Sequence, residues 1–202
     1  MPSAPSASSR GQWTRNPASS VARGARSDRA RSVRSARSAV KGVVAGALAT
    51  AAMDTLLYVR YRRSGGTEGP FRWEFSANVH GWEDASAPGL VGKRLVEKIL
   101  GHQAPDKWAR PIQNAMHWGT GMGWSAAFGI TTGSAARQPW AEGLIFGPVV
   151  WLSGYAILPL AKIYQPIWTY DVKTLAKDLS AHLVYGVAAG SALGVLSRGT
   201  RN

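Results

Sequence analysis

Residues Ala141–Tyr164 read AEGLIFGPVVWLSGYAILPLAKIY, with Glu142 and Lys162 as their only charges. A helix rises 1.5 Å per residue, so about 20 apolar residues cross the roughly 30 Å hydrocarbon core of a bilayer. The stretch therefore predicts a spanning helix. Working outward, 42–59, 112–135 and 179–196 are equally poor in charge. Together the four segments hold only Asp54, Glu142 and Lys162 of a charged complement of 24 Lys+Arg and 11 Asp+Glu. Charge partitioned in this way predicts an all-α integral membrane four-helix bundle. The spanning domain is 42–196, the loop 60–111 lies outside the membrane, and 197–202 is a short tail.

The net charge of +13 is concentrated ahead of the first span. Residues 1–41 carry eight Arg and Lys41 against Asp28, are rich in Ser and Ala, and offer little large apolar surface. Such a segment is expected to be disordered, because it cannot offset the entropy of ordering itself. Beside a span it is attracted to anionic headgroups by about 1 kcal/mol per basic residue. A transit peptide fits its composition too, whereas nucleic acid is a poorer partner without an aromatic platform. Ala49-Thr50-Ala51 has the form of a signal cleavage site, but the apolar run continues past it, which favours a retained helix.

The second span contains Gln113, Asn114 and His117 and is acceptable in lipid only with most of its circumference against other helices. Small residues at intervals of four supply the means. They are Gly42 and Gly46, Gly119 and Gly123, Gly129 and Gly133, Gly143 and Gly147, and Gly186, Gly190 and Gly194. In lipid such spacing opens a face for close backbone approach, and it permits a homo-oligomer or another membrane-protein partner. In the loop, Pro88 to Gly101 places Val91, Leu95 and Ile99 on one stripe, predicting a short amphipathic interfacial helix.

Four spans bring the end of the first, the start of the second, the end of the third and the start of the fourth to one side. Asp54, Asn114, His117, Asp178 and His182 fall there as an intramembrane polar cluster. Ionisable groups at that depth serve a function or satisfy one another. Four uses stay open: a hydrogen-bonded layer with Asp54 paired to a His or to Arg60, a proton or small-solute pathway, a metal site of Asp54, His117, Asp178 and His182, and haem held by His117 and His182. No cofactor is predicted. The absence of Cys excludes disulfides, Cys-ligated metal and thiol catalysis, and neither a nucleophile elbow nor a phosphate loop is present. Catalysis is thus not expected.

The order of motifs resembles that of the four-span bacterial inner-membrane proteins of the YagU type. It runs from Asn114-x-x-His117-Trp118 through Leu158-Pro159-Leu160 and Gln165-Pro166-Ile167-Trp168-Thr169-Tyr170 to Asp178-x-x-x-His182-Leu183-Val184-Tyr185. The likeness covers 40–196, leaves out the Ser/Arg tail and Trp73-Glu74-Phe75-Ser76, and implies a multi-pass protein of the bacterial cytoplasmic membrane without supplying a reaction. Seven basic residues in the twenty before the first span, against four in the twenty after it, favour both termini in the cytoplasm. The expected role is that of an accessory or scaffold membrane protein; a proton or small-solute channel or transporter is the alternative.

Overall fold

The computed structural model describes residues 17–132 and 139–198, with side chains from residue 27 onward. Residues 1–16 of the expected tail, 133–135 of the second expected span (Gly133 with them) and 199–202 lie outside the described residues. Every regular element described is helical: α1 Pro17–Arg63, α2 Pro70–Glu74, α3 Ala87–Leu100, α4 Ala109–Thr132, α5 Pro139–Ile157 and α6 Val172–Arg198. The chain divides into two units, Met1–Ser35 and Ala36–Asn202. In the first, residues 17–35 are helical and the side chains of 27–35 are exposed. The expectation of a disordered tail does not describe 17–41, where Ala and Arg, both strong helix formers, recur with Gly24 as the only interior glycine.

In the second unit, α4 lies against α1 at near backbone contact. A Cβ on Gly42 would strike the Ser125 carbonyl oxygen, one on Gly46 would stand 2.7 Å from the Met122 Cα, and one on Gly129 2.6 Å from the Ser38 carbonyl oxygen. The α5–α6 pair is equally close. Gly143 and Gly186 each face the other's carbonyl oxygen, Gly147 faces that of His182, Gly190 that of Pro139, and Gly194 the Pro139 ring. Gly119 and Gly123 depart from the expected pattern, because both look into open space. The packing face of α4 is instead the row Gly121, Ser125, Gly129, which is offset from them by half a turn.

A small aromatic core joins the helices. Phe128 stacks on Phe146 with ring centres 4.3 Å apart, and Tyr185 donates its hydroxyl hydrogen to the Gly121 carbonyl at 2.6 Å, with Ser125 Oγ 2.8 Å away. Elsewhere the interior is small: Ala45, Ala49, Thr50, Ser125, Ala181 and Ala189 are buried. Large aliphatic side chains point outward on all four long helices, as in Leu48, Ile130, Ile145 (70% exposed) and Val195.

Two helices, Ser27–Arg63 and Val172–Arg198, are long and apolar enough to cross a membrane. The third expected span is shortened, ending at Ile157 rather than Tyr164. Pro159 has no N–H to continue the ladder and disfavours helical geometry in the residue before it, and Lys162 turns the chain with φ 52°.

The loop helix α3 matches expectation, starting beside Pro88 and stopping at Gly101, whose φ of 72° suits the left-handed cap. It packs on α4 through Gly89 and Gly92, which meet Gln113, Ile112 and Met116. Its Leu95 and Ile99 remain exposed. Trp82 is buried with Val79, Ala104 and Ala109 and donates from Nε1 to the Ala104 carbonyl at 2.8 Å.

Candidate functional site

The titratable groups gather at one end of the second unit, where α1 finishes, α4 and α6 begin and α5 finishes. Asp54 stands on the inward face of α1 and is 4% exposed. His117 reaches it from α4, with Nε2 2.9 Å from Oδ2 and 3.1 Å from Oδ1, so the imidazole donates to the carboxylate. Of the two partners expected for Asp54, the structure has the histidine. Arg60 instead donates to the Lys177 carbonyl and to Ser180 Oγ, both at 2.8 Å, tying the end of α1 to the start of α6.

Asp178 and His182 form a second pair, four residues apart on one face of α6. His182 Nδ1 donates to the Asp178 carbonyl at 3.0 Å and lies 3.4 Å from Oδ1. The Tyr155 hydroxyl donates to Asp178 Oδ2 at 3.0 Å from α5, and the rings of Tyr164 and Tyr170 pack against that of Tyr155. The four residues read as one metal set are therefore two separate pairs. The metal-ligand grouping found among the described residues is Asp54, Glu74 and His117. His117 and His182 each hold one ring nitrogen in a hydrogen bond, to the Asp54 carboxylate and to the Asp178 carbonyl.

Asn114 shares the end of α4 with His117 but serves the loop, donating from Nδ2 to the Phe75 carbonyl at 3.1 Å. Beside it the buried Gln113 donates to Ser76 Oγ at 2.8 Å and accepts from the Ser86 N–H at 2.7 Å. These contacts hold 75–86 over the end of the helices.

Glu74 is the residue that sequence reasoning missed. Its approach to Asp54 depends on a fold-back: the Trp73 ring packs 5.4 Å from Tyr58 and 6.0 Å from Tyr61, and Tyr61 Oη accepts from the N–H groups of Thr67 and Glu68. Burial pushes the Glu74 carboxyl up to about 7, and the Asp54 carboxylate beside it adds to the rise. Three aromatic residues at the loop's base, Tyr58, Tyr61 and Trp73, were the available signal.

The chain matches no protein-family model, no curated protein and no solved structure.

Among the described residues, three cavities adjoin these groups. One of about 290 Å³ lies beside Asp54, Glu74 and His117. A second, of about 320 Å³, is lined by both His117 and His182 and by Tyr155. The third, of about 730 Å³, opens by Arg60, Tyr164, Tyr170 and Asp178. A chamber of carboxylates, imidazoles and phenols of this kind can bind polar or cationic ligands and exchange protons among its walls.

Proposed function

We propose that the chain is a four-span protein of the bacterial cytoplasmic membrane, with both termini inside, that acts as an accessory or scaffold protein and offers polar cavities at one end. The observation that carries the reading is the distribution of side chains. Small residues and a few aromatic rings fill the interior while Ile145, Val149, Leu152, Leu48 and Val195 face outward, unlike a helix bundle stabilised in water, which buries its large aliphatic side chains. The two helices among the described residues that are apolar enough to span alone support it. The exposed Leu95–Ile99 stripe of α3 fits the surface of the same membrane. Arg-rich residues on the N-terminal side suit anionic headgroups there.

An accessory role fits better than a conduit because the two Asp–His pairs lie at one end. Toward the other end, α5 meets α6 at Gly143 and Gly186 and α1 meets α4 at Gly42 and Ser125 with almost no room between backbones. Such contact closes the seam within each of these two helix pairs. In reconstituted vesicles carrying an internal pH dye, the protein should conduct protons no faster than protein-free vesicles. A leak above that background which disappears in Asp54→Asn or His182→Gln would overturn the accessory reading in favour of a proton pathway.

A further inference from the structure

We propose that Asp54, Glu74 and His117 form a binding site for one divalent transition-metal cation. This deepens the reading of the chamber by naming a ligand, and it rests on that reading only for the chamber's accessibility from one side.

Charge selection is the first observation. Lys and Arg outnumber Asp and Glu in this chain by 24 to 11. The cavity nevertheless carries Asp54, Glu74, Asp84 and His117 on its walls and, among the described residues, neither Lys nor Arg. Arg60, the nearest arginine in sequence to Asp54, is engaged with α6. Acidic side chains gathered around the one buried carboxylate of Asp54, in a basic protein, favour a cation.

Geometry is the second. One oxygen from each carboxylate and one imidazole nitrogen all lie within 4.8 Å of one another. His117 Nε2 and Asp54 Oδ2 are 2.9 Å apart, a separation that two ligands of one ion can hold when each bond is about 2.0–2.2 Å.

The third is the crowding of two carboxyl groups. Glu74 Oε1 is enclosed, and the carboxyl lies within hydrogen-bonding reach of Asp54 and of the Trp118 indole. A buried carboxylate oxygen facing a second carboxylate is costly unless a proton or a cation stands between them. The ligand set distinguishes among cations: an imidazole beside two carboxylates suits zinc, manganese, iron or cobalt, whereas magnesium and calcium prefer all-oxygen shells. Three protein ligands and an adjoining cavity leave further positions for water or an exchangeable ligand.

The test uses full-length protein purified in detergent without a polyhistidine tag, stripped with chelator, and titrated with zinc and then with cobalt(II). We expect one equivalent bound by elemental analysis and a cobalt visible spectrum on loading. Glu74→Gln and His117→Gln should each weaken binding by at least about 10-fold, while His182→Gln binds as the parent does. Glu74→Gln is isosteric and lies on a loop, so an unchanged thermal midpoint in metal-free buffer separates lost ligation from lost fold. Failure of the stripped parent to bind either metal, or full binding by Glu74→Gln, overturns the site. Either result leaves the accessory reading standing, since the vesicle leak assay tests that separately.

Discussion

Gly186→Leu should yield no monodisperse folded protein, and Gly186→Ala should lose about 1–3 kcal/mol, the usual range for overpacking a tight interior. Gly123→Ala should be neutral or slightly stabilising, since alanine is favoured over glycine in a helix by about 0.5–1 kcal/mol. The contrast arises from what each new Cβ would meet. At Gly186 it meets the Gly143 carbonyl oxygen, and the Gly147 N and Cα at 2.5 and 2.7 Å, all backbone atoms that cannot rotate away; at Gly123 it meets nothing. Thermal unfolding followed by size-exclusion chromatography in detergent measures both. Equal tolerance at the two positions would contradict the close α5–α6 packing.

Asp54→Ala is the second large effect. The carboxylate is almost wholly buried, and removing it leaves His117, 27% exposed, without its partner. Breaking a fully buried charge pair costs about 3–5 kcal/mol. The residual exposure of His117 lowers the expectation to about 1–3 kcal/mol, near the cost of stranding one polar group. In chelator-treated protein, Asp54→Ala and His117→Ala together should cost less than the sum of the two alone, with a coupling of about 0.5–3 kcal/mol. Additive losses would mean that the contact contributes nothing.

The two glycine sets bear on what was legible in the sequence. Spacing by four marks Gly119–Gly123 as readily as Gly143–Gly147, because spacing records that two residues share a face and not what the face touches. In a lipid-exposed helix, polarity does not distinguish the outside from the packing side, so Gly121 and Ser125 on the packing row of α4 had no marker, and only Gly129 of that row was marked by its spacing. The boundaries of α3 were readable because Pro88 and Gly101 act through local backbone geometry. Local geometry also ends α5 at Ile157: the signal, Leu158-Pro159, was present, and apolarity up to Tyr164 outweighed it.

The candidate site divides along the same line. The Asp178–His182 pair lies within one helical turn and a half, so its spacing predicts it. Asp54 and His117 are 63 positions apart; topology placed them at the same end, and packing brought them together. Glu74 lay beyond both methods, because its position depends on Trp73 stacking back onto Tyr58 and Tyr61. A loop read as lying outside the membrane thus closes over the chamber and supplies one of its carboxylates.

The central claim is that the outward aliphatic face of these helices lies in lipid, and the lack of native Cys makes it directly testable. Single cysteines at Ile145 and Leu152, which are 70% and 54% exposed, would be compared with one at Gln103, exposed in the loop. The measurement is labelling by a membrane-impermeant maleimide in intact membranes of both orientations. The account predicts that Gln103→Cys labels from one side and that Ile145→Cys and Leu152→Cys stay unlabelled in both until detergent is added. Labelling of Ile145→Cys in intact membranes as fast as Gln103→Cys would contradict it.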